Sequence, residues 1–237
     1  MAQGIYDVLN ELAKDLAVPV ATPEYEIMLV LLDTGGLGPD QLCRISSLSR
    51  SGFFHAIDRL KYWRFLTSRI DPLDRRCKIY SLYPLTAEML VSNLRLYRDP
   101  TVTFARLIMR RVDGAGRPAE LPRGKPDAPG LALADDGLRL AHFSCEFQIL
   151  LYLYLAPGAA PGEIGSAITA SRTKFHATLR DLVAQGLVIQ SEDGADKRRK
   201  CCTITDHARH AIARARLNVL AWLDRLDHGE DAVQQAS

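Results

Sequence analysis

The chain repeats itself at a constant offset of 122 positions, without a gap. Ile27 falls on Ile149, Leu31 on Leu153, Gly36 on Gly158 and Pro39 on Pro161. Ser49, Arg50, Phe53 and Leu60 fall on Ser171, Arg172, Phe175 and Leu182, and Asp71, Asp74, Arg76 and Lys78 on Asp193, Asp196, Arg198 and Lys200. One register runs through apolar stretches, turns and a charged tip, which accidental matches between leucine-rich helices do not produce. The fold must therefore be read as one series of elements built twice. Between the copies, residues 113–130 (DGAGRPAELPRGKPDAPG) hold four Pro and four Gly, a density that neither helix nor strand tolerates. The organisation expected is a first domain over 1–112, a linker over 113–130 and a second domain over 131–237, each domain of ordinary size.

Each copy spells the same elements. Residues 24–34 (EYEIMLVLLDT) are apolar nearly all round and predict a central buried helix, which Gly35–Gly36 ends. Pro39 opens a short helix to about Ser46, in the first-turn position that proline favours. Ser49 is an N-cap for a helix over 50–63. There Phe53, Ile57 and Leu60 form an inward stripe, and Arg50, Ser51, Phe54, His55, Arg59 and Lys61 occupy the opposite face. Phe65 to Ile70 and Lys78 to Leu82, around the tip DPLDRR, predict a hairpin. The second copy predicts a buried helix over 143–156, a short one from Pro161, a capped one over 171–185, a hairpin with tip DGADKR and a long helix over 206–226. Residues 3–17 and 85–112 are helical in pattern, with Ile5, Leu9, Leu12 and Leu16 spaced on one face of the first and Pro100 a break in the second. The fold class expected is mainly α with small β-hairpins.

Charge bears on function through its placement. The whole chain carries only +2. Residues 44–78 alone hold nine Lys/Arg against three Asp/Glu, and residues 166–200 hold seven against four. Helix, turn, helix and a two-stranded wing, with this local excess, is the order of a winged helix-turn-helix. Its second helix can enter the DNA major groove, and an arginine-bearing hairpin tip can reach phosphates or the minor groove. A solvated charged face with a basic loop is the plainer alternative, and the double occurrence weighs against it.

The runs LSRSGFFHAIDRL (48–60) and SRIDPLDRRCKIYSL (68–82) resemble the MarR family of bacterial transcriptional regulators. So do their second copies, ASRTKFHATLRDL (170–182) and QSEDGADKRRKCCTI (190–204). The family wing reads roughly D-x-R-D-x-R. Asp71, Asp74 and Arg76 match it, as do Asp193, Asp196 and Arg198, while Leu73 and Ala195 replace the middle arginine. The resemblance implies tandem winged domains that bind double-stranded DNA, most often as a repressor. Members usually carry one such domain and pair through terminal helices, so this chain looks like a dimer fused into one polypeptide. That is an intrachain pseudo-dimer, with a chain-to-chain homodimer left open. Carried over, Arg50, Ser51, Gly52, Phe54 and His55 match positions on the first reading helix, and Arg172, Thr173, Lys174 and His176 on the second, with the cap serines Ser49 and Ser171 expected to make backbone contacts with DNA. Arg76 and Arg198 match the wing arginine, and the adjacent Arg75 and Arg199 are expected to contact DNA with them. Asp74 and Asp196 are expected to orient the wings through salt bridges.

Other features are weaker. Five cysteines, none in a C-x-x-C pair, give no zinc spacing, and vicinal Cys201–Cys202 read as packing residues before redox sensors. His207 and His210 lie at i, i+3 without a further ligand. No cofactor, no metal and no catalytic motif is expected, so an enzyme is the remotest reading. No apolar run approaches the ~20 residues of a membrane span, and a soluble cytoplasmic protein is expected. Tyr152, Tyr154, Tyr62 and Trp63 can line a pocket for a small aromatic effector, although aromatics at helical spacing more often belong to a core. Rival functions are a protein-interaction scaffold and a replication initiator, both built on tandem winged helices.

Overall fold

The computed structural model describes residues 3–72, 74–95, 98, 142–192 and 200–228. The linker expected at 113–130, the break at Pro100, Leu73 and the second hairpin tip (193–199) lie outside these residues. The described part is mainly helical with two small antiparallel hairpins.

Helix α1 (Ile5–Leu16) buries Ile5, Leu9, Leu12 and Leu16, the stripe that its spacing predicts. Helix α2 (Pro23–Thr34) starts with proline in its first turn and ends where Gly35 turns left-handed, at φ 72°. Short α3 (Pro39–Ile45) leads to α4 (Arg50–Tyr62), which buries Phe53, Ala56, Ile57 and Leu60. Strands β1 (Leu66–Ile70) and β2 (Lys78–Leu82) pair with Leu66 opposite Leu82 and Ile70 opposite Lys78. Helix α5 (Pro84–Arg95) follows; of the helix expected over 85–112, only this portion and Arg98 are described.

The series then recurs. Helices α6 (Cys145–Leu155), α7 (Pro161–Ala167) and α8 (Arg172–Ala184) precede β3 (Val188–Glu192), β4 (Lys200–Ile204) and long α9 (Asp206–Asp227). Every bound of α7, α8, β3 and β4 lies 122 positions beyond that of α3, α4, β1 and β2. Fine detail keeps the same offset. An isolated bridge joins Leu37 to Tyr80 and another joins Ala159 to Cys202. Phe65 N donates to Leu60 O, as Leu187 N does to Leu182 O.

One apolar cluster runs through both series. Backbone bonds Thr22 N to His142 O (3.0 Å) and Ser144 N to Val20 O (2.9 Å) stitch the start of α2 to the start of α6. The Tyr25 ring lies 4.7 Å from that of His142. Helix α1 lies along α9, where Arg214 pairs with Asp15 and Arg225 Nη2 donates to Gln3 O at 2.8 Å. Arg95 reaches Asp227 at 2.6 Å, and Arg98 reaches both Asp224 and Asp227 at 2.8 Å. The Arg95 guanidinium holds the Asp227 carboxyl below the usual carboxylate range.

Candidate nucleic-acid interface

A helix can present its first turn to a ligand only if the turn before it is fixed. In the first series that turn hangs on a buried carboxylate. Glu26, inside α2, accepts from Ser47 N at 2.5 Å and Ser47 Oγ at 2.9 Å. Tyr6 Oη donates to Glu26 at 3.3 Å and to Ile45 O at 2.7 Å. Burial, and then the Glu26 charge, push the Tyr6 phenol well above its ordinary range, so it remains a donor. In the second series Gln148 does the same work: Oε1 accepts from Thr169 N (2.9 Å) and Oγ1 (3.0 Å), and Nε2 donates to Phe143 O (2.8 Å). These two anchors were not among the residues singled out from sequence. The signal was present, as polar residues 122 apart within largely apolar helices, each followed 21 positions later by a hydroxyl residue.

From the fixed turn, α4 and α8 start in the same way. Ser49 Oγ accepts from Gly52 N and Ser171 Oγ from Lys174 N, both at 3.3 Å. Both serines thus satisfy a helix-start amide that has no partner within the helix. Arg50, Ser51, Phe54 and His55 are exposed on α4, and Arg172, Thr173, Lys174 and His176 on α8. Phe54 leans edge-on against the inward ring of Phe53 (5.2 Å), and His176 lies tilted against that of Phe175 (5.0 Å).

Two residues assigned to the outer face of α4 reach back to neighbouring elements. Arg59 Nη1 pairs with the buried Glu24 carboxylate at 2.8 Å, its guanidinium 5.4 Å from the Trp63 ring centre. Lys61 Nζ donates to Tyr80 Oη at 2.8 Å, joining α4 to β2. Their long stems allow a charge on the outer side of a helix to reach a neighbouring element.

At the first wing tip, Arg75 and Arg76 are exposed. Asp74 does not orient it by a salt bridge among the described residues. Its Oδ1 accepts from Arg76 N at 2.9 Å, and its Oδ2 from Cys77 Sγ at 3.3 Å. A carboxylate two residues before an amide closes an Asx turn, and that short-range geometry competes successfully with a distant cation. The Arg76 amide, then the Cys77 thiol, hold the Asp74 carboxyl below the usual range. Arg198 and Arg199, with Asp196, lie outside the described residues.

A cavity of about 90 Å³ lies between the series. Ile5, Leu9 and Leu12 of α1, Phe147, Leu151 and Tyr154 of α6, and Ile212, Arg216 and Val219 of α9 line it, with Phe143. Among the aromatics expected at a pocket, Tyr154 lies here. Tyr62 is 47% exposed, and Trp63 packs against Phe65. Arg216 Nε is buried with no partner among the described residues. All five cysteines are free, and burial pushes the Cys202 thiol up. Among the described residues no His/Cys/Asp/Glu group has metal-site geometry, and no helix is long and apolar enough to cross a membrane.

Comparison with known families falls on the second series. Residues 137–199 match the MarR family. The matched stretch is about a quarter of the chain, from before α6 through α8 and β3. No curated protein is significantly similar to the whole sequence. Among solved structures, the crystal structure of MarR shares 21% identity over 35% of this chain and 61% of its own, with a TM-score of 0.30. The PcaV transcriptional regulator from Streptomyces coelicolor, in complex with its natural ligand, shares 20% over 38% and 62%, with a TM-score of 0.30. The S. aureus MepR–DNA complex shares 19% over 39% and 76%, with a TM-score of 0.32. The chain thus spans about three fifths of the first two MarR-type structures.

Proposed function

We propose that the protein is a sequence-specific DNA-binding transcriptional regulator, acting as a repressor, with two winged helix-turn-helix heads in one chain. The observation that carries this reading is the paired start of α4 and α8. Each follows a turn anchored to a buried side chain, is capped by serine, and exposes an arginine and a hydroxyl in its first turn. The MarR-family match over 137–199 supports it. Exposed Arg50, Ser51, Arg172 and Thr173 suit phosphates at the groove edge, and Phe54, His55, Lys174 and His176 suit base edges. Arg75 and Arg76 of the first wing suit phosphates or the minor groove beside the reading helix, and Arg198 and Arg199 are their counterparts in sequence. The heads act as an intrachain pseudo-dimer joined by α1, α5 and α9, in the cytoplasm and without catalytic chemistry. A scaffold or a replication initiator has no specific observation in its favour.

The cavity between the series is the proposed seat of a small aromatic effector. Its apolar walls suit a ring, and the unpartnered Arg216 Nε–H suits an anionic group.

Equilibrium binding to duplexes selected from a random pool, repeated across salt, tests the reading. A protein neutralising ~6–10 phosphates loses ~10³–10⁵ in affinity between 50 and 200 mM salt. A flat response, or equal affinity for random duplex at physiological salt, overturns it. The same titration with benzoate present tests the effector, which is expected to weaken DNA binding; an unchanged affinity at saturating benzoate overturns that part.

A further inference from the structure

We infer that the two reading helices recognise different half-sites, so that the duplex bound by this chain is asymmetric. Lys174 and Phe54 are the principal discriminating side chains. The inference rests on the DNA-binding reading above and concerns what each head reads.

The frames are the same. Helices α4 and α8 have equal length and bounds 122 apart. Their N-caps have φ −62°, ψ 153° at Ser49 and φ −64°, ψ 152° at Ser171. Both caps make the same 3.3 Å bond. A difference in recognition must then come from side chains.

The side chains fall into two groups. Arg50 with Arg172, and Ser51 with Thr173, keep the chemistry that grips phosphates, and grip carries no sequence information. The next exposed positions diverge. Gly52 offers nothing where Lys174 offers three donors, which fit guanine O6 and N7. Phe54 is 40% exposed and apolar, fit for a thymine methyl, where His176 hydrogen bonds. His55 stands opposite Ala177, and Asp58 opposite Arg180, a reversal of charge.

No single half-site suits both heads. A guanine beneath Lys174 gains a contact that it cannot gain beneath Gly52. One well-placed pairing discriminates by ~5–150-fold, and two or three diverged positions exceed that. Identical subunits read palindromes because their symmetry matches that of the site. Here the backbones match and the reading surfaces do not.

The test is selection from random duplexes with the full chain, together with the mass of the selected complex. The variant Gly52→Lys, Phe54→His, His55→Ala, Asp58→Arg gives the first head the second head's surface at every diverged position named above. A Cβ at 52 would lie 3.2 Å from Ser49 Oγ, a tight contact that a small shift of this hydroxyl relieves, as the same frame allows for Lys174 beside Ser171. The native chain should select two unlike half-sites about one helical turn apart, and the variant two like half-sites as an inverted repeat. Lys174→Ala, an exposed change that keeps the fold, should weaken binding to the native duplex by about ten- to a hundred-fold, through one half-site only. A perfect palindrome selected by one native chain overturns the inference while leaving DNA binding intact. So do unlike half-sites that the swap leaves unlike. If two chains bind one duplex, unlike half-sites within each chain's footprint support it, and four equal half-sites overturn it. No enrichment at all overturns the DNA-binding reading as well.

Discussion

Glu26 in the first series and Gln148 in the second stand at the same place on the same helix and hold the same turn. They finish their hydrogen bonding differently. Glu26 meets donors only: Ser47 N, Ser47 Oγ and Tyr6 Oη. Gln148 meets donors on one side and the Phe143 carbonyl on the other, 2.8 Å from Nε2. A carboxylate suits the first setting and an amide the second. Glu24 is buried and paired with Arg59 in one series, whereas Glu146 and Asp181, at the corresponding places in the other, are both acidic. The left-handed residue after α4 is Arg64 (φ 57°), and that after α8 is Gly186 (φ 70°). The same backbone has thus been kept while its internal polar chemistry was settled separately in each series. A residue's role is transferable between them where it caps or packs, and must be worked out afresh where it is charged.

The sharpest way to break this comparison is to exchange the anchors. Gln148→Glu puts a carboxylate against the Phe143 carbonyl in a buried place, and should cost about 2–3 kcal/mol. Glu26→Gln keeps an oxygen for Ser47 N and leaves an amide that can donate to Ser47 Oγ, and should cost under ~1 kcal/mol. Urea denaturation of both variants measures the difference. Equal costs would mean that the two settings are equivalent and that the pairing with Phe143 carries no weight.

A smaller effect separates the tethers. Arg59→Ala strands the buried Glu24 carboxylate and should cost ~1–2 kcal/mol, below the full penalty for a broken buried pair because Arg59 itself is largely exposed. Asp181→Ala, the corresponding change on α8, removes an exposed side chain and should fall within ~0.5 kcal/mol of neutral. Matched urea midpoints for the two variants would show that Arg59 is an ordinary surface residue.

Much of this frame is legible in the sequence, because the offset of 122 lets each segment be read twice. Proline at 39 and 161, serine at 49 and 171 and the spacing of Phe53, Ile57 and Leu60 mark helix starts and faces through local chemistry, and the observed bounds follow them within a residue or two. Polar tertiary contacts were less legible. A helix that reads as apolar all round hid Glu24, Glu26 and Gln148, since burial of a polar side chain depends on a partner distant in sequence. Arg59 sits on the outward face by helical periodicity, and only its long stem and the position of Glu24 bring it back. Asp74 was expected to seek a cation, yet the nearest donor is a backbone amide two residues away. What is set by spacing along one element can be read from sequence; what depends on the meeting of two elements cannot.

The first wing tip offers the smallest test and extends the comparison to a place where only sequence speaks for the second series. Asp74 closes the tip by accepting from Arg76 N and Cys77 Sγ, so Asp74→Ala should free the Arg76 amide, while Asp74→Asn, which retains an acceptor oxygen, should keep it bound. Hydrogen exchange at Arg76 reads this directly, with faster exchange in the alanine variant only. The sign of its pH dependence follows from the lowered carboxyl pKa. The ordering effect is complete above the ordinary carboxylate value and is lost as pH falls through the lower folded one, so at neutral pH it is fully present. Because Arg75 and Arg76 ride on this turn, loss of order should weaken DNA binding by a few-fold, less than removal of Arg76 itself at ~1–3 kcal/mol. Asp196→Ala is the matching change 122 positions on. If it frees the Arg198 amide as Asp74→Ala frees that of Arg76, the two tips share one device; if exchange at Arg198 does not respond, the second tip, like the second anchor, has found its own.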